Sequence, residues 1–269
     1  MPEGHVLHRL ARLHQQRYAG SAVRVHSPQG RFASGASLVD GLVLDRAEAY
    51  GKHLLHVYAP DRVVHVHLGL YGKFTELPVP LEEPRGKVRM RVVGSTHGTD
   101  LRGPAACELL TEDEATTLLS RLGPDPLRED ADPERGWERL TRSRSTIAAL
   151  LMDQKIVSGV GNIYRAEVLF RRGIPPELPG RELDHDRWKL LWRDLVELMA
   201  DGVRSGRMDT VRPEDMPEVT GREPRQDRHG GEVYVYRRAG QPCLHCSTPV
   251  ATSELVGRKL YWCPTCQRG

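Results

Sequence analysis

Four of the five cysteines fall at Cys243, Cys246, Cys263 and Cys266, a C-x2-C-x16-C-x2-C array close to the C-terminus. Two such knuckles present four thiolates tetrahedrally, so this end of the chain reads as a zinc ribbon carrying one structural Zn2+. Paired disulfides are the competing arrangement, and a chain without an export signal disfavours them. Four thiolates leave no open coordination position, and no His-x-Glu accompanies a knuckle, which argues against a zinc hydrolase or deaminase. His245, inside the first knuckle, reads as a solvent-facing residue rather than a ligand, and Cys107 as a small core residue.

A length of 269 residues suffices for two domains plus the ribbon. The formal charge of +3 is mildly basic, which permits a nucleic-acid partner without requiring one. No apolar run reaches the length of a membrane span, and Glu3 interrupts anything resembling a signal peptide, so the sequence reads as cytoplasmic. Apolar residues recur at helical spacing from Glu3 to about Tyr18. Alternation then takes over in Ala22 to His26, Val43 to Tyr58, Val63 to Leu77 and Lys87 to Val93, as in an antiparallel sheet or sandwich. Beyond Leu122-Gly123-Pro124-Asp125-Pro126-Leu127 the period becomes helical, with helices expected over Thr146 to Gln154, Asn162 to Arg172 and Arg187 to Arg204. The segment from Val211 to Gly231 reads as a mobile loop. The fold class is therefore α+β and multidomain, divided at 1–127, 128–233 and 234–269.

Chemistry gathers at a few points. Removal of Met1 gives Pro2 a free secondary amine, and an α-amino group near pKa 8 is up to roughly a hundredfold more available as free base than a lysine. Glu3, beside it, can move protons. The plainer reading is that proline and acid merely open a helix. Gly159-Val160-Gly161-Asn162 opens a helix, where unpaired N–H groups and the Asn162 amide could seat a phosphate. Gly257-Arg258-Lys259 should fall at the ribbon's hairpin tip, placing a cation where phosphate contact is possible. Leu70-Tyr71, between glycines, is either core or a wedge that fills the space of an extruded base.

In combination these motifs resemble the formamidopyrimidine-DNA glycosylase and endonuclease VIII family, nearly end to end. The match comprises Pro2-Glu3, Gly51-Lys52-His53, His67-Leu68-Gly69, the 122–127 segment, Asp153-Gln154 through Tyr164, Val235-Tyr236 through Cys243, and the ribbon with Arg258. The resemblance implies an N-terminal β-sandwich with flanking helices, a helical helix–two-turn–helix domain with a zinc-ribbon hairpin, and DNA between the domains. Carried onto matching positions, it makes Pro2 the nucleophile at C1′ and Glu3 the acid. Lys52, His67, Asn162 and Arg258 become phosphate contacts, with Lys52 counted among the catalytic groups and Leu70 and Tyr71 forming the wedge. The implied activity is a monomeric bifunctional glycosylase and AP lyase acting on duplex or partly single-stranded DNA with oxidised bases or abasic sites. Met-Pro-Glu-Gly and Leu-Tyr resemble the endonuclease VIII branch, hence oxidised pyrimidines, whereas His67-Leu68-Gly69 resembles the purine-lesion branch. A non-catalytic lesion-binding protein of the same fold is the remaining alternative.

Overall fold

A proline and an acid ahead of an amphipathic stripe begin the first element. Glu3 is extended (φ −114°) and helix α1 (Gly4–Tyr18) follows, burying Leu7, Ala11 and Tyr18. The computed structural model describes residues 2–227 and 231–268; Met1 and part of the 211–231 segment lie outside them. The chain divides between Arg121 and Leu122 into two compact units.

In the first unit the strands are β1 (Ser21–Ala22), β2 (Arg24–His26), β3 (Val43–Tyr50), β4 (His53–Tyr58), β5 (Arg62–His67), β6 (Lys73–Pro78), β7 (Met90–Val93), β8 (His97–Arg102) and β9 (Ala106–Leu110). They form antiparallel sheets ordered β1-β3-β4-β5-β9 and β2-β7-β8-β6. Leu44, Leu54, Val64 and Val66 from one sheet and Val25, Met90, Val92 and Leu101 from the other share a core with Leu7 and Tyr18 of α1. Alternating burial thus builds the expected sandwich. Helices α2 (Ala33–Val39) and α3 (Glu112–Ser120) flank it.

The strand expected over Ala22 to His26 breaks at Val23 and serves both sheets. Strand β8 carries no apolar alternation that would announce it. Its buried Asp100 instead accepts two hydrogen bonds from Arg91, at 2.6 and 2.8 Å, so the charge is paired rather than excluded.

The second unit contains α4 (Pro133–Thr141), α5 (Ile147–Leu150), α6 (Asn162–Arg171), α7 (His185–Ser205), α8 (Pro217–Thr220) and the hairpin β10 (Ala251–Leu255) and β11 (Arg258–Trp262). Asp184 caps α7 by accepting the Arg187 N–H at 2.8 Å, and Gly206, at φ 75°, closes it in the left-handed region. The α7 stripe of Trp188, Leu191, Leu195 and Met199 meets Leu140, Ile147, Tyr164 and Val168. The helix expected over 146–154 is shorter, because Gln154 turns its side chain to the next loop. Its Nε2 donates to the Val160 carbonyl and its Oε1 accepts from the Gly159 N–H, both at 3.0 Å. The described part of the expected 211–231 loop is not featureless: it holds a 3-10 turn at Pro213–Asp215 and α8. The Tyr234 hydroxyl fastens it, donating to Asp215 at 2.6 Å.

Candidate functional site

In the first unit Pro2 is half-buried and Glu3 fully buried at the start of α1. The Glu3 carbonyl receives the Val6 N–H at 2.9 Å, which makes Glu3 the N-cap residue at the positive end of the helix. Burial pushes the His5 imidazole, in the first turn of α1, down to about 4. Helix α1 lies on β3 and β4, whose connection is the tight turn at Gly51-Lys52. Gly51, at φ 57°, takes the left-handed conformation that the turn demands. That turn places Lys52 directly before the cross-strand pair His53 and His67, whose ring centroids are 5.2 Å apart. Burial, then neighbouring His65, His67 and Lys52, depresses His53 to about 3. His67 is lowered by burial and by the charges of His65 and Lys52.

Between β5 and β6 the chain turns through Leu68-Gly69-Leu70-Tyr71-Gly72. The Gly72 N–H donates to the Leu68 carbonyl at 2.9 Å. A Cβ on Gly72 would collide with that carbonyl, and one on Gly69, at φ 66°, would come within 2.8 Å of the Ala105 methyl. The two glycines therefore fix a tight loop that leaves Leu70 52% and Tyr71 85% exposed. Of the two readings of this pair, core or wedge, exposure excludes core.

In the second unit Asn162 opens α6 with its side chain committed. Nδ2 donates to the Lys259 carbonyl at 2.9 Å, and Oδ1 accepts from Arg165. The buried Arg165 guanidinium also reaches the same carbonyl, at 3.1 Å. These bonds fasten the 159–162 turn to the hairpin, so Asn162 acts on its own protein as well as offering the helix N-terminus. The hairpin turn is Val256 (φ 50°) and Gly257 (φ 67°), and Arg258 lies exposed just past it.

The four cysteine sulfurs lie within 4.8 Å of one another. Cys243 and Cys266 are 3.8 Å apart and Cys246 and Cys263 3.4 Å, close to the edge of about 3.8 Å for a tetrahedron with Zn–S bonds of about 2.3 Å. Four thiolates at these spacings fit one structural zinc ion. Thr248 and Thr265 hydrogen-bond at 2.8 Å between the knuckles. His245 is exposed and outside the sulfur cluster, as the sequence suggested, yet it has partners. It packs on Phe170 and Tyr234 and pairs with Asp215 at 2.9 Å, which ties the first knuckle to the 213–215 turn. Cys107 lies on β9, partly buried against the sandwich core.

Sequence reasoning missed Glu167. Its buried carboxylate accepts the N–H groups of Tyr234, Val235 and Tyr236 at 2.7, 2.9 and 2.8 Å and the Thr210 hydroxyl at 2.6 Å. One side chain of α6 thereby shapes the turn that leads into the ribbon. Part of the signal was available: an acid set among Ala166, Val168, Leu169 and Phe170 in an expected helix needs a partner once it is buried.

Three family models match: the formamidopyrimidine-DNA glycosylase N-terminal domain over residues 1–107, its H2TH domain over 122–212, and the zinc finger found in FPG and IleRS over 240–269. Endonuclease 8 1 of Mycobacterium tuberculosis is 54% identical over 271 residues, spanning 99% of this chain and 100% of the relative. A formamidopyrimidine-DNA glycosylase of Parasynechococcus marenigrum is 33% identical across 81% of this chain and 79% of that one. Among solved structures, Lactococcus lactis formamidopyrimidine-DNA glycosylase non-covalently bound to AP-site DNA is 22% identical, with a TM-score of 0.78 over 99% of this chain and 100% of that one. The same enzyme with DNA containing an oxidised pyrimidine gives 22% and 0.79, over the whole of both chains. These structures share the fold, and the mycobacterial relative aligns with this chain along nearly its whole length. Sandwich, H2TH domain and four-cysteine hairpin, in that order, make this chain a member of the formamidopyrimidine-DNA glycosylase and endonuclease 8 family.

Proposed function

We propose that the chain is a bifunctional DNA glycosylase and AP lyase of base-excision repair that prefers oxidised pyrimidines and works through a Schiff base on Pro2. The observation that carries this reading is the buried Glu3 carboxyl directly behind Pro2 at the start of α1. Once Met1 is removed, the Pro2 nitrogen lone pair forms a bond to C1′ while the bond from C1′ to the damaged base breaks, and the proton that the Pro2 nitrogen sheds ends on the departing base. Glu3 delivers a proton to the ring oxygen, the sugar opens, and a protonated Schiff base links Pro2 to C1′. That iminium withdraws electrons, so a base takes the C2′ proton and the C3′–O bond breaks with release of that phosphate; loss of the C4′ proton through the conjugated iminium then breaks the C5′–O bond and releases the other phosphate. Water could not serve in place of Pro2, since hydrolysis would stop at the abasic site.

Lys52, His67, Asn162 and Arg258 hold the phosphates around the extruded nucleotide, and Leu70 and Tyr71 occupy the space it leaves. Exposed apolar side chains on a braced loop suit that task, and Leu-Tyr supports the pyrimidine branch. One zinc ion held by Cys243, Cys246, Cys263 and Cys266 keeps the Arg258 hairpin in place. The working division is a catalytic sandwich over 1–127, a DNA-binding helical domain over 128–233 and a zinc finger over 234–269. No helix among the described residues is long and apolar enough to cross a membrane, and we place the protein in the cytoplasm, on nucleoid DNA, as a monomer.

The test is borohydride trapping on duplexes carrying thymine glycol, 8-oxoguanine or an abasic site, after mass spectrometry shows that Met1 is absent. A covalent adduct mapped to Pro2, strongest with thymine glycol, is the expected result. A free Pro2 amine that gives no adduct overturns the catalytic reading in favour of lesion binding, and an 8-oxoguanine optimum overturns the substrate preference.

A further inference from the structure

A hairpin closed by two residues asks both of them for a left-handed backbone. Leu255 on β10 stands opposite Arg258 on β11, which leaves Val256 and Gly257 as the whole turn, at φ 50° and 67°. Two positive φ angles in a two-residue loop make a type I′ turn, for which Asn-Gly is the favoured pair. Gly257 meets that demand without strain. Val256 does not, because a β-branched side chain is among the least suited to this region.

Packing does not compensate for the strain. The Val256 side chain is 82% exposed, nearly as much as that of Tyr71 in the proposed wedge. A Cβ built on Gly257 would meet nothing within 4 Å, so the tip stands in open space. The hairpin behind it is firmly held. The Lys259 carbonyl accepts from Asn162 Nδ2 at 2.9 Å and from Arg165 at 3.1 Å. The Thr252 hydroxyl donates across the strands to the Leu260 carbonyl at 2.9 Å, and Leu260 is buried. A strained apolar residue thus caps a braced prong, two positions before Arg258. Strain of this kind, with no packing to justify it, points to a contact made outside the chain.

We propose that Val256 is a DNA-contact residue whose isopropyl group presses on the deoxyribose beside the phosphate held by Arg258. The inference rests on Arg258 being a phosphate ligand and gives that cation an apolar neighbour. Two methyl groups offer nothing to a phosphate oxygen, and they are too short to part stacked bases. The sugar is the apolar surface within reach of a side chain whose neighbour grips the backbone. A sugar contact carries no base information, so Val256 should add affinity alike for every lesion.

Val256→Asn separates strain from contact, since Asn suits the turn but lacks the methyl groups. The full-length, zinc-loaded V256N protein should melt about 2–4 °C higher than wild type. It should bind about fivefold more weakly to a duplex carrying tetrahydrofuran, an abasic analogue that cannot form a Schiff base. The slope of log affinity against log salt should stay unchanged, because no charge is lost. Val256→Ile keeps both branch and strain and should match wild type in melting and binding. Undiminished affinity in V256N overturns the proposal. So does a lower melting temperature, which would mean an unstrained turn, or a smaller salt slope, which would mean that Arg258 had shifted. Binding to tetrahydrofuran DNA needs no chemistry, so these results together with a wild type that gives no borohydride adduct overturn only the glycosylase reading.

Discussion

Asn162 and Lys259 are 97 residues apart in sequence and joined by one hydrogen bond, from Asn162 Nδ2 to the Lys259 carbonyl at 2.9 Å. The bond spans the H2TH turn and the zinc hairpin, two parts proposed to hold phosphates. Replacing Asn162 by Ala removes that donor and strips the buried Arg165 guanidinium of one acceptor. A loss of about 1–3 kcal/mol is expected from buried groups left unsatisfied. Urea titration should register it, and equilibrium binding to abasic-site DNA should weaken in parallel. An N162A protein of unchanged stability would mean that the hairpin is held elsewhere.

How much of this was legible in the sequence depended on whether the signal was local. The cysteine spacing announced the ribbon because each knuckle is a four-residue unit. The α1 and α7 stripes were equally plain, since their periodicity is complete within one element. The Gln154 brace and the identity of the groups that Glu167 clamps were not legible. Each contact joins residues whose proximity exists only after distant strands or turns have paired. Asn162 was singled out correctly as a polar residue at a helix start, yet its carbonyl partner could not have been named from one-dimensional spacing.

The ribbon should depend on its metal. Cys263 is fully buried among the knuckles, and Cys263→Ser removes one of four thiolates from a closed tetrahedron. Zinc content should fall from one per chain to near zero, with loss of DNA affinity and a lower melting temperature for the second unit. Chelation of the wild type should give the same phenotype. Full zinc occupancy in C263S would refute the four-cysteine assignment.

Arg258 sits just beyond a hairpin turn that carries nothing else of its charge except Lys259. Arg258→Ala should weaken binding alike for every lesion and lower the slope of log affinity against log salt by about 1, one phosphate contact. A loss confined to one lesion would assign Arg258 to base recognition instead.

Leu70 and Tyr71 separate stability from function. Both side chains are largely exposed, so Leu70→Ala and Tyr71→Ala should leave the urea midpoint within about 0.5 kcal/mol of wild type. Filling the space of an extruded base is worth about 1–3 kcal/mol per stacked side chain, so cleavage of lesions in fully paired duplex should fall by about tenfold or more. Cleavage of the same lesion in a bubble, where no stack has to be opened, should suffer least. Equal losses in both substrates would remove the wedge role.

Acid should destabilise the first unit from near neutrality downward, because several buried groups favour the deprotonated state there. Burial holds His5 at about 4 and His53 at about 3, against 6.5 for a free imidazole. Burial drives His56 well below 6.5 as well. Burial alone would raise the Glu76 carboxyl, but hydrogen bonds from His14, Thr99 and Arg17 bring it down to about 2. In each case the unfolded chain binds the proton at higher pH than the folded one. Stability is therefore complete above the unfolded pKa and is lost as pH falls towards the folded value, between pH 6.5 and 4 for His5 and between 4.5 and 2 for Glu76. His5 alone carries about 3 kcal/mol of this over its window. The urea midpoint should decline steadily from pH 7 to pH 4, and His5→Gln should reduce the decline between pH 7 and 5 whatever its stability at pH 7. Parallel slopes for wild type and H5Q would show that His5 takes up its proton without unfolding, and that the acid sensitivity lies with the other buried groups.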